Sequence, residues 1–168
     1  MTLSMTLYRS LVVMLLLSTG AYAGQGEGAR LFTAATPALL DERCQQEECM
    51  VIYWSLDCPP CHSELKTLGD VLKGREAPGM VLVSVDGRAQ LAEIGETLSR
   101  YRVAQLESWI TPSPLDLPLR YAIDPKWFGE LPNSYLYTAG SRKVRIVGEI
   151  EASRLQMIVS RFARQAKN

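Results

Sequence analysis

The chain has 168 residues, 47% of them hydrophobic, and its 18 basic and 18 acidic residues leave no formal net charge. That length and apolar content are typical of one domain with a real core, which excludes a disordered chain. The composition holds no basic block that would favour a phosphate-backbone partner, so we expect no nucleic acid ligand.

The first 23 residues are predicted to be a secretory signal peptide. Arg9 precedes the apolar run Leu11 to Leu17, and Ala21-Tyr22-Ala23 is a small-x-small cleavage site. The apolar run is shorter than the roughly 20 residues of a membrane span, so cleavage is favoured over an uncleaved anchor. We therefore expect an exported, periplasmic protein without a stable membrane anchor, whose mature chain begins near residue 24.

Residues 24–49 are predicted to form an N-terminal extension. It begins with a polar, flexible leader at residues 24–30. Leu31 and Phe32 then open a short edge strand, and Thr36 to Glu48 form a short helix or turn.

Two of the four cysteines, Cys44 and Cys49, belong to this extension. Four cysteines allow three pairings, and the sequence alone does not choose among them. Proximity favours a structural disulfide between Cys44 and Cys49. Two free thiols, a second redox pair that passes electrons to the other cysteines, and a four-thiolate zinc site are the alternatives. No metal site is expected, because the proline-locked second pair suits redox chemistry better.

That second pair, Cys58 and Cys61, follows the apolar run Val51 to Trp54, which is typical of a buried strand. Pro59 and Pro60 lie between the two cysteines. Prolines are best accommodated in the first turn of a helix, where their missing N–H groups need no partner. The pattern predicts a strand, a short turn and a helix that begins at the cysteine pair.

This layout suits thiol-disulfide exchange. A thiol attacks a disulfide as its thiolate, and the N-terminus of a helix stabilises that anion. Cys58 is the predicted nucleophile, and Cys61, one turn later, is the predicted resolving thiol. Because the prolines lack N–H groups, we expect the thiolate to be stabilised by the backbone N–H groups of Cys61 and His62.

The next segments continue an α/β pattern. Met80 to Val85 are predicted to form a second buried strand, and Ala89 to Arg102 a helix with Leu91 and Ile94 on its buried face. Strand, helix, strand and helix with fully apolar strands imply parallel pairing through a right-handed crossover.

The segment from Val103 to Leu131 shows no clean period. It is rich in proline and carries Trp109, Trp127 and Phe128. A proline-rich loop with aromatic residues is suited to line a groove for an extended peptide; the alternative is that both tryptophans simply cap the core. Residues 117–123 are predicted to form a short helix or a short strand, and the pattern does not decide between them.

Leu131 to Tyr137 and Lys143 to Ile150 are predicted to form an antiparallel hairpin, and Glu151 to Ala166 an amphipathic helix. The predicted fold is therefore α/β, with a central mixed sheet of about four to five strands flanked by helices. Residues 50–168 form its main domain.

The run Trp54-Ser55-Leu56-Asp57-Cys58-Pro59-Pro60-Cys61, the later Leu131-Pro132 at the start of a strand, and the order of elements resemble the thioredoxin superfamily. The resemblance is greatest to the exported TlpA/ResA-type thiol-disulfide oxidoreductases and covers roughly residues 50–163. It implies a thioredoxin-like fold and a redox-active dithiol, with no cofactor.

The resemblance also implies roles for single residues. Pro132 resembles the cis-proline that faces the cysteine pair, and the backbone of Leu131 would pair with a substrate strand. Glu64 coincides with an acidic residue that tunes the thiols in ResA-type members; the alternative is a first-turn carboxylate that complements the helix dipole. Trp54 matches a tryptophan beneath the site. The predicted substrate-binding residues are Trp54, Pro59, Pro60 and Leu131.

The chain departs from the family at two positions. Ile52 stands where thioredoxin has a buried aspartate, so that proton acceptor is missing here. Asp57 replaces the commoner aromatic residue before the first cysteine, and its charge is expected to raise the pKa of the thiol.

Two other functions fit part of the pattern. Cys58-Pro59-Pro60-Cys61-His62 matches the haem c attachment motif. Against that interpretation, the motif follows a buried strand, and His62 is predicted to be an exposed helix residue near the site. A copper-carrying module is the third possibility, since thiolates suit Cu(I).

The sequence favours a periplasmic protein-disulfide reductase that acts on specific exported proteins. Cys-Pro-Pro-Cys alone does not set the direction of electron flow, so the preference for reduction depends on Glu64 and on the resemblance. We expect two partners, an exported protein with a disulfide and a thiol-type electron donor at the membrane.

Overall fold

The computed structural model describes residues 29–138 and 142–165. The predicted signal peptide at residues 1–23 and most of the flexible leader lie outside the described residues. Within the described ranges, no helix is both long enough and apolar enough to cross a membrane.

Eleven main elements follow one another along the described chain. They are β1 (Arg30–Leu31), α1 (Thr36–Gln46), β2 (Cys49–Trp54), α2 (Pro59–Leu72), β3 (Met80–Ser84), α3 (Leu91–Arg100), β4 (Glu107–Ile110), α4 (Leu117–Ile123), β5 (Asn133–Thr138), β6 (Arg142–Val147) and α5 (Ala152–Gln165). The structure thus decides that residues 117–123 form a helix. Its N-terminus is capped by Asp116, whose carboxylate accepts a hydrogen bond of 2.8 Å from the N–H of Leu119.

The strands form one sheet in the order β1-β4-β3-β2-β5-β6. Strands β1 to β4 are parallel to one another, whereas β5 runs antiparallel to β2 and β6 antiparallel to β5. The predicted α/β class with a mixed central sheet is confirmed. The sheet has six strands among the described residues, slightly more than the four to five predicted, because no strand was predicted at Glu107–Ile110, where β4 lies.

The side chains of β2 alternate between two cores. Met50, Ile52 and Trp54 pack on the side of the sheet covered by α2, α3 and α5, here called the α2 face. Cys49, Val51 and Tyr53 point to the opposite side, the α1 face, where α1, α4 and Trp127 cover the sheet. All six side chains are buried, which explains why the run reads as continuously apolar.

The predicted N-terminal extension is continuous with this sheet and core. Strand β1 pairs with β4 through Arg30–Trp109 and Leu31–Ile110. Phe32 and Leu40 are buried on the α1 face. Residues 30–49 therefore contribute a strand and a helix to the same body as the segments that follow.

The predicted helix over residues 89–102 is shorter than expected. A single 3-10 turn at Arg88–Gln90 precedes α3. Leu91, expected on the buried face, is 41% exposed, while Ile94 is buried. Leu91 is the first residue of α3, so it lies at the end of the helix and is less covered than Ile94 one turn further in.

Candidate active site

Cys58 and Cys61 form a disulfide at the end of the sheet where β2 leads into α2, with their Cα atoms 5.2 Å apart. Cys58 is 8% exposed and Cys61 only 1% exposed. An incoming reactant therefore reaches the sulfur of Cys58 first. This asymmetry agrees with the predicted roles of nucleophile and resolving thiol.

Cys58 is also the N-cap of α2, with Pro59 and Pro60 in the first turn. The N–H of Cys61 donates to the Sγ of Cys58 at 3.2 Å and to its carbonyl oxygen at 2.9 Å. The N–H of His62 donates to the same carbonyl oxygen at 3.2 Å and not to the sulfur. Of the two donors expected to stabilise the sulfur, only Cys61 does so, because the carbonyl of the N-cap takes the other.

The loop before Cys58 is held by Asp86, which follows β3 at the same end of the sheet. The Asp86 carboxylate accepts hydrogen bonds from the hydroxyls of Ser55 at 2.5 Å and Ser84 at 2.7 Å. It also accepts from the N–H of Leu56, at 3.1 Å to each oxygen. Charge-assisted bonds of this kind are among the stronger ones in proteins, so the loop is well fixed.

Glu64 lies one turn after Cys61 on the same face of α2 and is 1% exposed. Its Oε2 accepts a hydrogen bond of 3.0 Å from the N–H of Ile150. Burial raises the pKa of the Glu64 carboxyl to about 7, and the negative charge of Glu149 adds to this, while the Ile150 N–H opposes it. Glu64 is therefore a buried acid behind the cysteine pair and not a solvated carboxylate at the helix end.

The Leu131–Pro132 peptide bond is cis. Tyr53 of β2 pairs with Asn133 of β5, so Pro132 lies beside the end of β2, where the chain turns toward Cys58. Pro132 is buried, and its carbonyl accepts a hydrogen bond of 2.9 Å from the N–H of Gly148. The sheet thus brings the predicted proline and the cysteine pair to one edge.

Comparison with known proteins finds matches only among solved structures. No family model matches the chain, and no curated protein matches it. A secreted disulfide oxidoreductase of Mycobacterium tuberculosis, described as homologous to E. coli DsbE, matches with a TM-score of 0.50 at 17% identity, over 71% of this chain and 85% of that one. The fold is thioredoxin-like.

Two further solved structures agree. A thioredoxin-family thiol:disulfide interchange protein of Chlorobium tepidum TLS has a TM-score of 0.51 at 19% identity, over 73% of this chain and 83% of that one. MTB dsbF, described in mixed oxidized and reduced forms, has a TM-score of 0.51 at 17% identity, over 72% and 84%. At identities of 17–19%, these likenesses concern the fold.

The predicted substrate-binding residues differ in exposure. Pro59 and Pro60 are exposed, and Leu131 is half-buried against both cores. Trp54 has no exposed surface and packs in the same core as the cysteine pair. The assignment of Trp54 to substrate binding is therefore corrected, since a side chain with no exposed surface supports the site from beneath and cannot contact a bound chain.

The other two cysteines, Cys44 and Cys49, are also joined by a disulfide, the pairing that proximity favoured. Both are 1% exposed and lie on the α1 face, whereas Cys58 and Cys61 belong to the α2 face. Cys49 begins β2, and a strand of six residues spans roughly 16 Å.

This separation contradicts two of the alternatives for Cys44 and Cys49. The pair cannot pass electrons directly to Cys58 and Cys61, and the four sulfurs cannot share one zinc ion. In residues 29–138 and 142–165, no group of three or more His, Cys, Asp or Glu side chains is arranged to hold a metal ion.

The aromatic residues of the segment from Val103 to Leu131 differ in burial. Trp127 is buried on the α1 face with its ring centroid 5.1 Å from that of Tyr53, and Trp109 packs partly against the same core. Phe128 is 80% exposed. The tryptophans therefore cap the core, as the simpler interpretation held, and Phe128 and Tyr121 are the aromatic residues at the surface of this segment.

Sequence reasoning missed Asp86 and misjudged His62. Asp86 follows the predicted strand Met80 to Val85 and was not singled out, although a polar residue after a parallel strand lies at the end of the sheet where the cysteines were expected. His62 was predicted to be exposed; it is half-buried, because its ring packs edge-on to Tyr101 with 5.7 Å between the centroids. No local sequence pattern predicts the contact of Asp86 with Ser55 or that of His62 with Tyr101, because the two residues of each contact are distant in sequence.

Proposed function

We propose that the chain is an exported protein-disulfide reductase that acts on specific partner proteins through Cys58 and Cys61. The observation that carries the proposal is the arrangement along α2. A partly exposed cysteine caps the helix, a buried cysteine follows it, and a buried acid with a pKa near 7 lies one turn further.

In the reduced protein, the Cys58 thiolate attacks one sulfur of a substrate disulfide. The substrate S–S bond breaks, its second sulfur leaves as a thiolate that takes up a proton, and a Cys58–substrate mixed disulfide forms. The position of Cys58 at the helix N-terminus, with the Cys61 N–H directed at its sulfur, favours the thiolate that starts the reaction.

Cys61 completes the reaction. Its thiol gives a proton to the Glu64 carboxylate, and the resulting thiolate attacks the Sγ of Cys58. The mixed disulfide breaks, and the substrate leaves with both sulfurs reduced. The Cys58–Cys61 dithiol is thereby oxidised by two electrons to the disulfide. A general base with a pKa near the working pH is suited to this proton transfer, which supports Glu64 in the role.

The substrate is an extended segment of an exported protein around its disulfide. The backbone of Leu131 and the exposed rings of Pro59 and Pro60 provide the contact surface next to Cys58. A thiol-type electron donor at the membrane returns the pair to the dithiol, because a periplasmic dithiol needs its own source of electrons to stay reduced.

Insulin reduction by single-cysteine variants tests the proposal. Cys58→Ala is expected to abolish activity, whereas Cys61→Ala should accumulate a mixed disulfide that is visible by non-reducing electrophoresis and mass spectrometry. The Cys44→Ala/Cys49→Ala double variant is the matched control and should retain exchange. Normal turnover by the Cys61 variant, or residual activity without Cys58, would overturn the assignment of roles.

A further inference from the structure

The His62 side chain folds back over the start of its own helix. Its Nε2 lies 2.7 Å from the carbonyl oxygen of Leu56, while its backbone N–H donates to the carbonyl of Cys58. His62 therefore contacts the chain on both sides of Asp57, immediately before the nucleophile. The hydrogen bond between the His62 side chain and Leu56 therefore closes a short loop from residue 56 to residue 62.

The protonation of the imidazole follows from its two partners. A carbonyl oxygen only accepts, so Nε2 carries a hydrogen and donates to Leu56. Nδ1 lies 3.1 Å from the hydroxyl of Tyr101, and in the neutral ring it accepts from that hydroxyl. Both ring nitrogens are thus engaged within the protein, so the histidine of the Cys-x-x-Cys-His pattern is not presented to a haem iron.

The Leu56 peptide is fixed from the other side as well. Its N–H donates to the Asp86 carboxylate, and its C=O accepts from His62. A continuous chain of hydrogen bonds thus runs from Asp86 through the Leu56 backbone and His62 to Tyr101. It links the end of β3, the loop before Cys58, the first turn of α2 and the end of α3.

The two prolines explain why this loop needs a side-chain donor. Pro59 and Pro60 have no N–H, so the first turn of α2 offers fewer backbone donors to the segment before it. The His62 ring supplies one at the Leu56 carbonyl. Without it, the segment before the helix keeps the Leu56 N–H bond to Asp86, the bonds of the Asp57 and Cys58 N–H groups to Ser55, and the cap bonds, but no bond at the Leu56 carbonyl.

We infer that His62 is a positioning residue for thiol-disulfide exchange, whose ring fixes residues 56–58 so that the Cys58 sulfur stays within reach of the Cys61 N–H. The inference rests on the proposed function. His62 acts through the loop and does not contact the substrate. Its hydrogen bond is what matters, and a charge on the ring is not required.

Three variants separate these effects. His62→Ala removes the ring, and His62→Gln keeps an N–H donor at a similar reach without any charge. Tyr101→Phe removes only the tyrosine hydroxyl that is hydrogen-bonded to Nδ1, and it leaves the bond from Nε2 to Leu56. The readout is the pH profile of Cys58 alkylation by iodoacetamide in the protein with Cys58 and Cys61 reduced, followed by mass spectrometry.

His62→Ala should move the profile to higher pH, so that alkylation below its midpoint slows about fivefold, the effect of losing one typical hydrogen bond. His62→Gln should recover most of the rate, and Tyr101→Phe should change it less than His62→Ala. An unchanged profile in folded His62→Ala would overturn the inference. A rate in His62→Gln as low as in His62→Ala would show that charge, and not the bond, is responsible.

The wild-type protein provides a test that needs no variant. His62 is the only histidine in the chain, so its ring ¹⁵N signals are assigned without ambiguity. At a pH where the ring is neutral, we expect the Nε2–H tautomer; the Nδ1–H tautomer would contradict the inference. If wild-type protein holds this tautomer but its Cys58–Cys61 pair has the potential of a strong oxidant, the proposed function fails while the loop contact stands.

Discussion

Glu64 is the residue whose environment departs most from its usual one near the cysteine pair. It is a carboxylic acid with almost no exposed surface, it has one backbone donor at Ile150, and the negative charge of Glu149 lies nearby. Desolvation disfavours its ionised form, which raises its pKa to about 7. A pKa in this range lets one group hold and release a proton at neutral pH.

The raised pKa predicts a pH-dependent stability. Between the ordinary pKa of 4.5 and the folded value near 7, the folded chain binds a proton that the unfolded chain has lost, so stability falls as pH rises through this window. Above pH 7, the ionised Glu64 lowers the free energy of unfolding by about 3 kcal/mol. Glu64→Gln should remove it, so variant and wild type should be nearly equal at pH 4 and differ by about 3 kcal/mol at pH 8, the variant being more stable.

Urea unfolding of the oxidised proteins at a series of pH values measures this difference. Glu96→Gln, an exposed carboxyl on α3, is the matched control and should show no such change. A difference between Glu64→Gln and wild type that does not vary between pH 4 and 8 would show that Glu64 ionises normally in the folded chain.

At the scale of elements, the Cys44–Cys49 disulfide joins the last turn of α1 to the first residue of β2. Both sulfurs are buried, so reagents that reach Cys58 do not reach them. The bond closes a short loop and fastens α1 over the α1 face, and we assign it a structural role.

Replacing both cysteines with alanine should lower the free energy of unfolding by roughly 2 kcal/mol, the effect of closing a loop of this length. Thiol-disulfide exchange at Cys58 should be unaffected. Chemical denaturation and insulin reduction measure the two effects separately. Loss of exchange in a folded double variant would mean that the Cys44–Cys49 pair takes part in electron transfer.

The loop between α4 and β5 is held by Arg145 of β6. Its guanidinium donates to the Lys126 carbonyl and the Glu130 carboxylate, each at 3.0 Å, and to the Asn133 side chain at 2.9 Å. Phe128 is therefore exposed on a fixed loop, four residues before Pro132. An exposed aromatic side chain on a fixed loop is suited to contact a protein substrate.

Phe128→Ser should raise KM for a protein disulfide about tenfold, as expected for losing much of the contact of one buried aromatic ring. The rate with a small disulfide that does not reach the loop should stay the same. Leu39→Ser, an exposed apolar residue on α1, serves as the control. Equal losses with both substrates would indicate damage to the cysteine pair and not to substrate binding.

Elements with an uninterrupted pattern were predictable. β2 and β3 are buried on both faces and so read as continuous apolar runs, and the start of α2 is marked by its prolines. β4 was missed because Glu107 and Trp109 share one of its faces and Ser108 and Ile110 the other. Each face therefore mixes polar and apolar residues, and no alternation is visible.

The candidate site was predictable where its residues are close in sequence. Cys58 caps α2, and Cys61 and Glu64 follow within the helix one turn apart, so that spacing can be read directly. The contacts of Asp86 and Tyr101 depend on how β3 and α3 pack against the loop, which no local pattern records. Trp54 was predicted both in a buried strand and at the substrate, and its complete burial agrees with the first prediction and not with the second.

At the scale of the whole molecule, the sheet separates two disulfides of different character. The buried Cys44–Cys49 bond lies at the beginning of β2 on the α1 face, and the Cys58–Cys61 bond lies past its end on the α2 face. We assign the first pair a structural role and propose that the second exchanges electrons with partner proteins. In the proposed function, this second pair donates electrons.

The reduction potential of the Cys58–Cys61 pair tests that claim most directly. It is measured by equilibrating the protein with thiol-disulfide buffers of known potential and quantifying the reduced fraction by alkylation and mass spectrometry, with Cys44–Cys49 intact. A reductase should have a potential below about −200 mV, in the range of reducing dithiols. A value near about −120 mV, typical of a strong periplasmic oxidant, would contradict the reductase function.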